Sequence, residues 1–540
     1  MSNIYSYHTF ILPVVLNGKG KEIHSFTQIT KCFDENPYWT RSDPKDKNSF
    51  GEDENVRSFY NEYQYFYPQA RNALYGYDGN VVKTYSFAKK EVHEKAHYYI
   101  TKGKRTYDLL INAIRLKIYN TGVALFIMEC ENHGKDKYGN GQASLADVKN
   151  INDFGRRITL PFVPEKPEYS VCADKLEIAI PELGVSFASD FRDFIIRVGE
   201  SCDAKAIINL NHLCDFVKDV INYGGTYLFS SNDDKVRSRK QFKIRLALDD
   251  RMFVACIVND KSKTEEFLKV NGGDIPLNER KYAYEENEKL SKSLYEFIFV
   301  DSDEGCTCQS SSMRSELLEK HIYKRWLDSG SIYAMSAQSL VLLFNGAFEP
   351  LIGSFLTIYE RIVCLCIVQR ASIMVFQKEL ALLSVQIHEK GNRMRTSTVT
   401  RLMDLQERFA AFESQICFTE VTSQEQGIDI YEMMTGFFFI NDEMENIKSQ
   451  LDILNEAANT YLDFGFNKIG IAFTFIGALY GALGMNGAEF DGFISWLGGL
   501  FGRTEASVQW LGSLLWMLMS VGFAAIIWLI IATVFRRRRD

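Results

Sequence analysis

Residues 466–486 read FNKIGIAFTFIGALYGALGMN and residues 510–535 read WLGSLLWMLMSVGFAAIIWLIIATVF. The first stretch carries one charged side chain, Lys468 at its entry, and the second carries none. About 20 apolar residues cross the hydrocarbon of a bilayer as a helix. The second stretch would extend roughly 39 Å, enough to cross with tilt. The two therefore read as membrane spans, 466–486 and 510–535, joined by a loop at 487–509.

Charge orients them. Arg536 to Arg539 follow the second span directly, and clustered arginines stay on the cytoplasmic side. Two crossings then leave both ends in the cytoplasm, with a basic tail at 536–540. The loop sets Glu489, Asp491 and Glu505 against Arg503 and faces outward. Met1 to Pro13 has a short apolar run without a preceding basic region or a small-residue cleavage site, so no signal peptide is expected.

A chain of 540 residues with 46% apolar content can build ordinary cores. The net charge of −8 and a pI near 5.7 argue against a general nucleic-acid binder, and no direct nucleic-acid binding is expected. Eleven cysteines without a repeating spacing read as reduced thiols, and Cys306-x-Cys308 and Cys364-x-Cys366 are too isolated for a zinc site.

All ten prolines lie at or before Pro350. Proline breaks helix interiors, so its absence from the rest permits long helices and sets a boundary near 345–350. Residues 1–348 read as a cytoplasmic α/β ligand-sensing domain and 349–465 as a helical stalk. Within the first, Ile114, Leu116 and Ile118 alternate with polar neighbours, then Asn120-Thr121-Gly122 turns into the run Val123 to Met128, a hairpin. Phe242, Ile244 and Leu246, followed after Asp249-Asp250 by Met252 to Val258, read as a second one. Asp190 to Val220 has helical spacing, and Ser312 to Trp326 reads as one amphipathic helix. Residues 351–368 are apolar enough for a span, but Glu360 and Arg361 sit in the middle, each costing about 2.5 to 3.5 kcal/mol on insertion. A packed cytoplasmic helix is expected there.

Two stripes mark the stalk. Ile430, Met433, Phe437, Ile440, Met444, Ile447, Leu451, Leu454, Ala458 and Tyr461 follow an unbroken heptad spacing, which predicts one helix in a bundle or symmetric assembly. Ser449, Glu456, Thr460, Asp463, Asn467, Gly470, Thr474, Gly477 and Gly481 form a polar and small-residue stripe running into the first span. Close helix packing accounts for the glycines; Asp463 and Asn467 at the cytoplasmic mouth favour a water-filled pore.

Gly484-Met485-Asn486, preceded by a long stalk helix and followed by a short loop, a second span and a basic tail, resembles the CorA family of divalent-cation channels and transporters. The resemblance implies an α/β cytoplasmic domain, a stalk helix and two transmembrane helices per subunit. It also implies a homo-oligomer, usually a pentamer, in a bacterial inner membrane, conducting Mg2+ without a tightly bound metal. Gly484, Met485 and Asn486 would form the outer mouth, with Asn486 as the selectivity residue. A ring of carboxamide oxygens suits Mg2+, which holds its water reluctantly. Leu483 stands where the family has an aromatic residue, and the family's proline-containing loop motif is missing. Glu489 and Asp491 either supply an acidic external ring or are ordinary solvated carboxylates.

Three further segments, residues 151–157, 249–254 and 323–326, resemble the CorA-like proteins associated with type III CRISPR systems. That branch implies an antiviral effector whose pore answers a nucleotide messenger, the SAM-AMP conjugate. Arg156, Arg157, Arg237, Arg239, Lys243, Arg245 and Arg325 are candidates for a phosphate, alongside Lys235 and Lys240, and Trp326 or Tyr333 for stacking on adenine. Each has an ordinary alternative, a solvated charged face or a core aromatic. A housekeeping Mg2+ transporter regulated by cytoplasmic metal is the second reading. A membrane-anchored zinc protease is the third, from His93-Glu94-Lys95-Ala96-His97. That motif needs both histidines on one helix face, whereas Tyr98 to Thr101 favours a strand. No catalysis is expected.

Overall fold

The computed structural model describes residues 4–17, 26–42, 60–88, 95–201, 215–230, 241–270, 281–348, 350–390 and 396–485, with 496, 499 and 522. They fall into two compact units, Met1–Val375 with Ala410–Met444 and Phe376–Phe409 with Glu445–Asp540. Residues 350–375 and 410–444 fall in the same unit as the sheet.

The sheet unit is built on two long strands, β1 (Ser6–Asn17) and β5 (Arg105–Tyr119). Phe10 to Leu16 of β1 is nearly all apolar and buried, the pattern of a strand covered on both faces. Its first half pairs with β11 (Phe253–Asn259) and its second with β10 (Gln241–Leu246). Pro13, which has no N–H to give, stands where the two partners part, and its carbonyl accepts from Ala247 N at 3.0 Å. Strand β5 likewise pairs first with β4 (His97–Lys102) and then with β3 (Val82–Phe87), and its ladder with β6 (Val123–Asn132) shifts register between Ile111 and Ala113.

The remaining strands are β2 (Trp39–Ser42), β7 (Lys175–Ile180), β8 (Val185–Asp190), β9 (Leu228–Ser230), β12 (Ile322–Tyr323), β13 (Ser331–Ser336) and β14 (Ser339–Phe344). Their order is β12-β13-β14-β11-β1-β6-β5-β4-β7-β8, with β10 and β9 attached through β1, and β3 and β2 through β5. The β5–β6 hairpin is as expected, and Gly122 takes φ +84° in its turn. The second expected hairpin is corrected: β10 and β11 exist, but each pairs with a different half of β1 because that strand is long enough to serve both. His97 lies on β4, as the run after it predicts, which rules out the helical face the protease motif needs; His93 and Glu94 lie outside the described residues.

Seven helices matter here: α1 (Leu145–Arg156), α2 (Glu288–Phe299), α3 (Ser311–His321), α4 (Glu360–Lys390), α5 (Thr396–Gln415), α6 (Glu425–Phe437) and α7 (Ile440–Met485). Ser144 caps α1 by accepting from Asp147 N at 3.1 Å. At its other end Gly155 lies so close to the sheet that a Cβ would stand 2.7 Å from Ile100 Cδ1, which seats Arg156 and Arg157 against the strands. Helical spacing at 190–220 gives Phe191–Ser201 and Asp215–Asn222. The helix expected over 312–326 is shorter: α3 stops at His321, β12 follows, and Trp326 lies in a 3-10 segment, Lys324–Ser329.

Among the described residues, one helix is long and apolar enough to cross a membrane, Pro350–Ile387, with mean hydropathy 1.9. Phe355, Ile362 and Cys366 within it are fully buried, and Glu360, 1% exposed, is paired with Arg115 Nη2 at 3.3 Å and with Arg361. Burial pushes the Glu360 carboxyl up, but Arg361, Lys117 and Arg115 outweigh it and hold it at about 2. Its charges thus find partners in protein, in keeping with the packed helix expected from residues 351–368.

The stalk spacing is realised with one correction. The predicted continuous helix breaks at Phe438 and Phe439, between α6 and α7. From Ile440 it runs 46 residues to Met485, through the first predicted span. The second, 510–535, lies outside the described residues except Gly522. In the helical unit Phe376 meets Phe409 edge-on at 5.4 Å, and Arg408 binds Glu379 at 2.7 Å.

Candidate ligand cavity

The sheet unit holds a cavity of about 940 Å³. Its wall draws on elements far apart in sequence: the end of α1, Arg251 before β11, the ends of α2 and α3, the β13–β14 turn, and the end of α6. The backbone ties these together. Arg157 and Arg251 form an antiparallel bridge, Met252 N donates to Arg156 O at 2.8 Å, and Ile158 N donates to Asp250 O at 3.1 Å.

On the basic side lie Arg156, Arg157, Arg251 and Lys320. Arg156 is 1% exposed. Its Nη2 donates to Val300 O at 2.8 Å, its Nη1 to Gln338 Oε1, and its Nε has no hydrogen-bond partner among the described residues. Burial lowers its pKa to about 10 against the pull of Asp153. Arg157 Nη2 is 2.8 Å from Asp153, and Arg251 Nη2 is 2.7 Å from Asp249. Burial and the neighbouring Asp249 raise the Asp250 carboxyl to about 6.

The acidic residues are Asp301, Asp429 and Glu432. Asp301 accepts from Thr307 N at 2.8 Å and Thr307 Oγ1 at 2.7 Å. Asp429 accepts from Tyr323 Oη and from Arg325 Nη2, both at 2.7 Å.

Four rings form a chain along the wall. Tyr295 stacks on Phe299 at 4.3 Å, Phe299 meets His321 edge-on at 4.8 Å, and His321 lies parallel to Phe437 at 4.2 Å. His321 Nδ1 is 2.6 Å from Met335 O, so that nitrogen carries a proton; burial lowers the ring pKa. Planar rings beside cationic and anionic side chains suit a ligand with a flat heterocycle and charges of both signs.

Each of the segments 151–157, 249–254 and 323–326 contributes to this wall, through Arg156 and Arg157, Arg251, and Tyr323. The other candidates lie elsewhere. Trp326 is half-buried away from the cavity, and Tyr333 is a core residue of β13, 1% exposed, in edge contact with Tyr323 and Tyr359. Neither is placed to stack on a base in the cavity. Lys243 and Arg245 lie on β10, outside the wall, and Arg325 pairs with Glu425 and Asp429. Lys235, Arg237, Arg239 and Lys240 lie outside the described residues.

On α7, Gly470, Thr474 and Gly477 are exposed, and Thr474 Oγ1 donates to Gly470 O at 2.8 Å. Gly481, Gly484 and Met485 end the helix, and Asp463 and Asn467 lie on its backbone. Asn486, Glu489 and Asp491 fall outside the described residues. Among the described residues no group of three or more His, Cys, Asp or Glu side chains is placed to hold a metal ion.

The ring chain was missed at the sequence level. Its members come from α2, α3 and α6, and no spacing rule joins them. No protein-family model matches the chain, and no curated protein matches it.

Proposed function

We propose that the chain is a subunit of an oligomeric, CorA-type cation channel of a bacterial inner membrane, gated by a nucleotide messenger bound in the cavity. One observation carries the reading. The cavity wall includes Gly436, Phe437 and Phe439, the residues where α6 gives way to α7, and α7 then runs as one helix to Met485. A ligand there acts on the root of the helix that enters the predicted span. Ile471, Phe473 and Phe475, exposed on α7, are the side chains expected to meet lipid or neighbouring subunits.

A type III CRISPR effector role answering the SAM-AMP conjugate fits the wall chemistry. That ligand offers adenine rings for His321 and Phe437, a phosphate and carboxylate for the arginines, and cationic groups for Asp429 and Glu432. The ligand favours the open pore only by its differential affinity for that state.

The test is ion flux from liposomes holding the full chain, with and without the SAM-AMP conjugate. Nucleotide-dependent flux is expected. Flux indifferent to nucleotide but shut by Mg2+ would favour the housekeeping transporter and overturn this reading. Asn486→Ala should change ion preference.

A further inference from the structure

The heptad seam and the helix break contradict each other. Ile430, Met433, Phe437, Ile440, Met444 and Ile447 keep the 3-4 spacing across the break, and Ile430, Ile440 and Ile447 are at most 3% exposed. Such a pattern calls for one helix with one buried stripe. No proline interrupts it, and a Cβ on Gly436 would meet nothing within 4 Å. The break is made by Phe439, which takes φ +54°. A side chain with a Cβ is strained there, and an aromatic one gains nothing locally in return.

The three consecutive rings divide between two voids. Phe437 stacks on His321 in the large cavity. Phe438, 4% exposed, is at a second void of about 100 Å³, with Phe253 6.3 Å away and the Arg370 guanidinium 5.2 Å above its ring. Phe439, 61% exposed, lines the large cavity again. The two voids share Arg156, Arg251, Ala337 and Gln338 in their walls. On a continuous helix, residues two apart point about 200° from each other. Phe437 and Phe439 can therefore line one cavity only while the helix is broken.

We propose that residues 437–440 are a ligand-set hinge. The chain has two arrangements, a broken form with Phe437 and Phe439 on the cavity and a continuous α6–α7 helix in which the stripe is unbroken. A ligand that touches both rings selects the broken form, and its affinity for that form over the other is the whole of the coupling. The coupling rests on the nucleotide reading; the existence of the two forms does not.

The decisive comparison is Phe439→Gly against Phe439→Ala in the full chain, because both delete the ring. Glycine relieves the left-handed strain and disfavours the helix; alanine keeps the strain and favours the helix. Hydrogen exchange of the amides at 440–442, read without ligand, should be about tenfold slower or more in the alanine variant, where the helix closes. If alanine leaves exchange unchanged or faster, the break is static and the hinge is refuted. With the SAM-AMP conjugate as probe, the glycine variant should bind about tenfold more tightly than the alanine variant. Equal binding despite different exchange would refute the coupling. A wild-type chain that does not bind the conjugate would overturn the nucleotide reading, while the exchange contrast stands or falls without it.

Discussion

Around Glu360, the acids Glu62, Glu129 and Glu360 interleave with Arg115, Lys117 and Arg361, and the ion pairs close on themselves. Around the cavity, the arginines also have carboxylate neighbours, but they border about 940 Å³ of space, and the buried Arg156 Nε lacks a hydrogen-bond partner among the described residues. Both sites are dense in charge and both sit against the same sheet. The second borders a void large enough for a ligand. Clustered charge therefore marks where desolvation has been compensated, and a void beside it marks where a ligand can finish the job.

The comparison breaks most visibly at Glu360. Glu360→Gln leaves Arg361 and Lys117 buried without their central anion and should destabilise the full chain by about 3 to 5 kcal/mol in thermal or denaturant unfolding, without touching the cavity wall. The pH dependence has the same origin. The folded carboxyl is held at about 2 against an ordinary value of 4.5, so its contribution is complete above 4.5 and is lost as pH falls from there toward 2. In the variant that segment of the stability curve should flatten; an unchanged curve would show that the cluster is not what Glu360 stabilises.

A smaller effect is expected at the open site. Arg251→Ala, at a residue 29% exposed whose ion-pair partners among the described residues are its own loop acids Asp249 and Asp250, should lose about 1.5 to 3 kcal/mol of nucleotide binding in calorimetry, with little change in melting temperature. A melting shift as large as that of Glu360→Gln would make the two sites alike and remove the distinction. Smallest of all, Lys243→Ala and Arg245→Ala on β10 should leave binding within about twofold, because neither lines the cavity. A tenfold loss there would move the site.

Much of the fold was legible because its signals are local. The alternation from Ile114 to Ile118 and the glycine turn at 122 specify a hairpin without help from elsewhere. The second hairpin failed because β10 and β11 satisfy their backbones on β1, a strand more than 200 residues upstream that their own sequences do not mention. At the site, Arg156 and Arg157 were legible as adjacent basic side chains suited to a phosphate. Phe437 and His321 were not, since a parallel ring pair at 4.2 Å joins positions 116 residues apart.

Taken alone, the sequence determined the properties that accumulate along one dimension. These are two apolar stretches long enough to cross a bilayer, a helix carried without proline to Met485, and strands marked by alternation. Tertiary structure decided which partner each strand takes, which charges are neutralised and which face a void, and where the stalk breaks. Those outcomes depend on burial and on pairing across the fold. At Phe439 they overrule the helical spacing, because the contacts that Phe437 and Phe438 find in two separate walls outweigh the strain of a single left-handed residue.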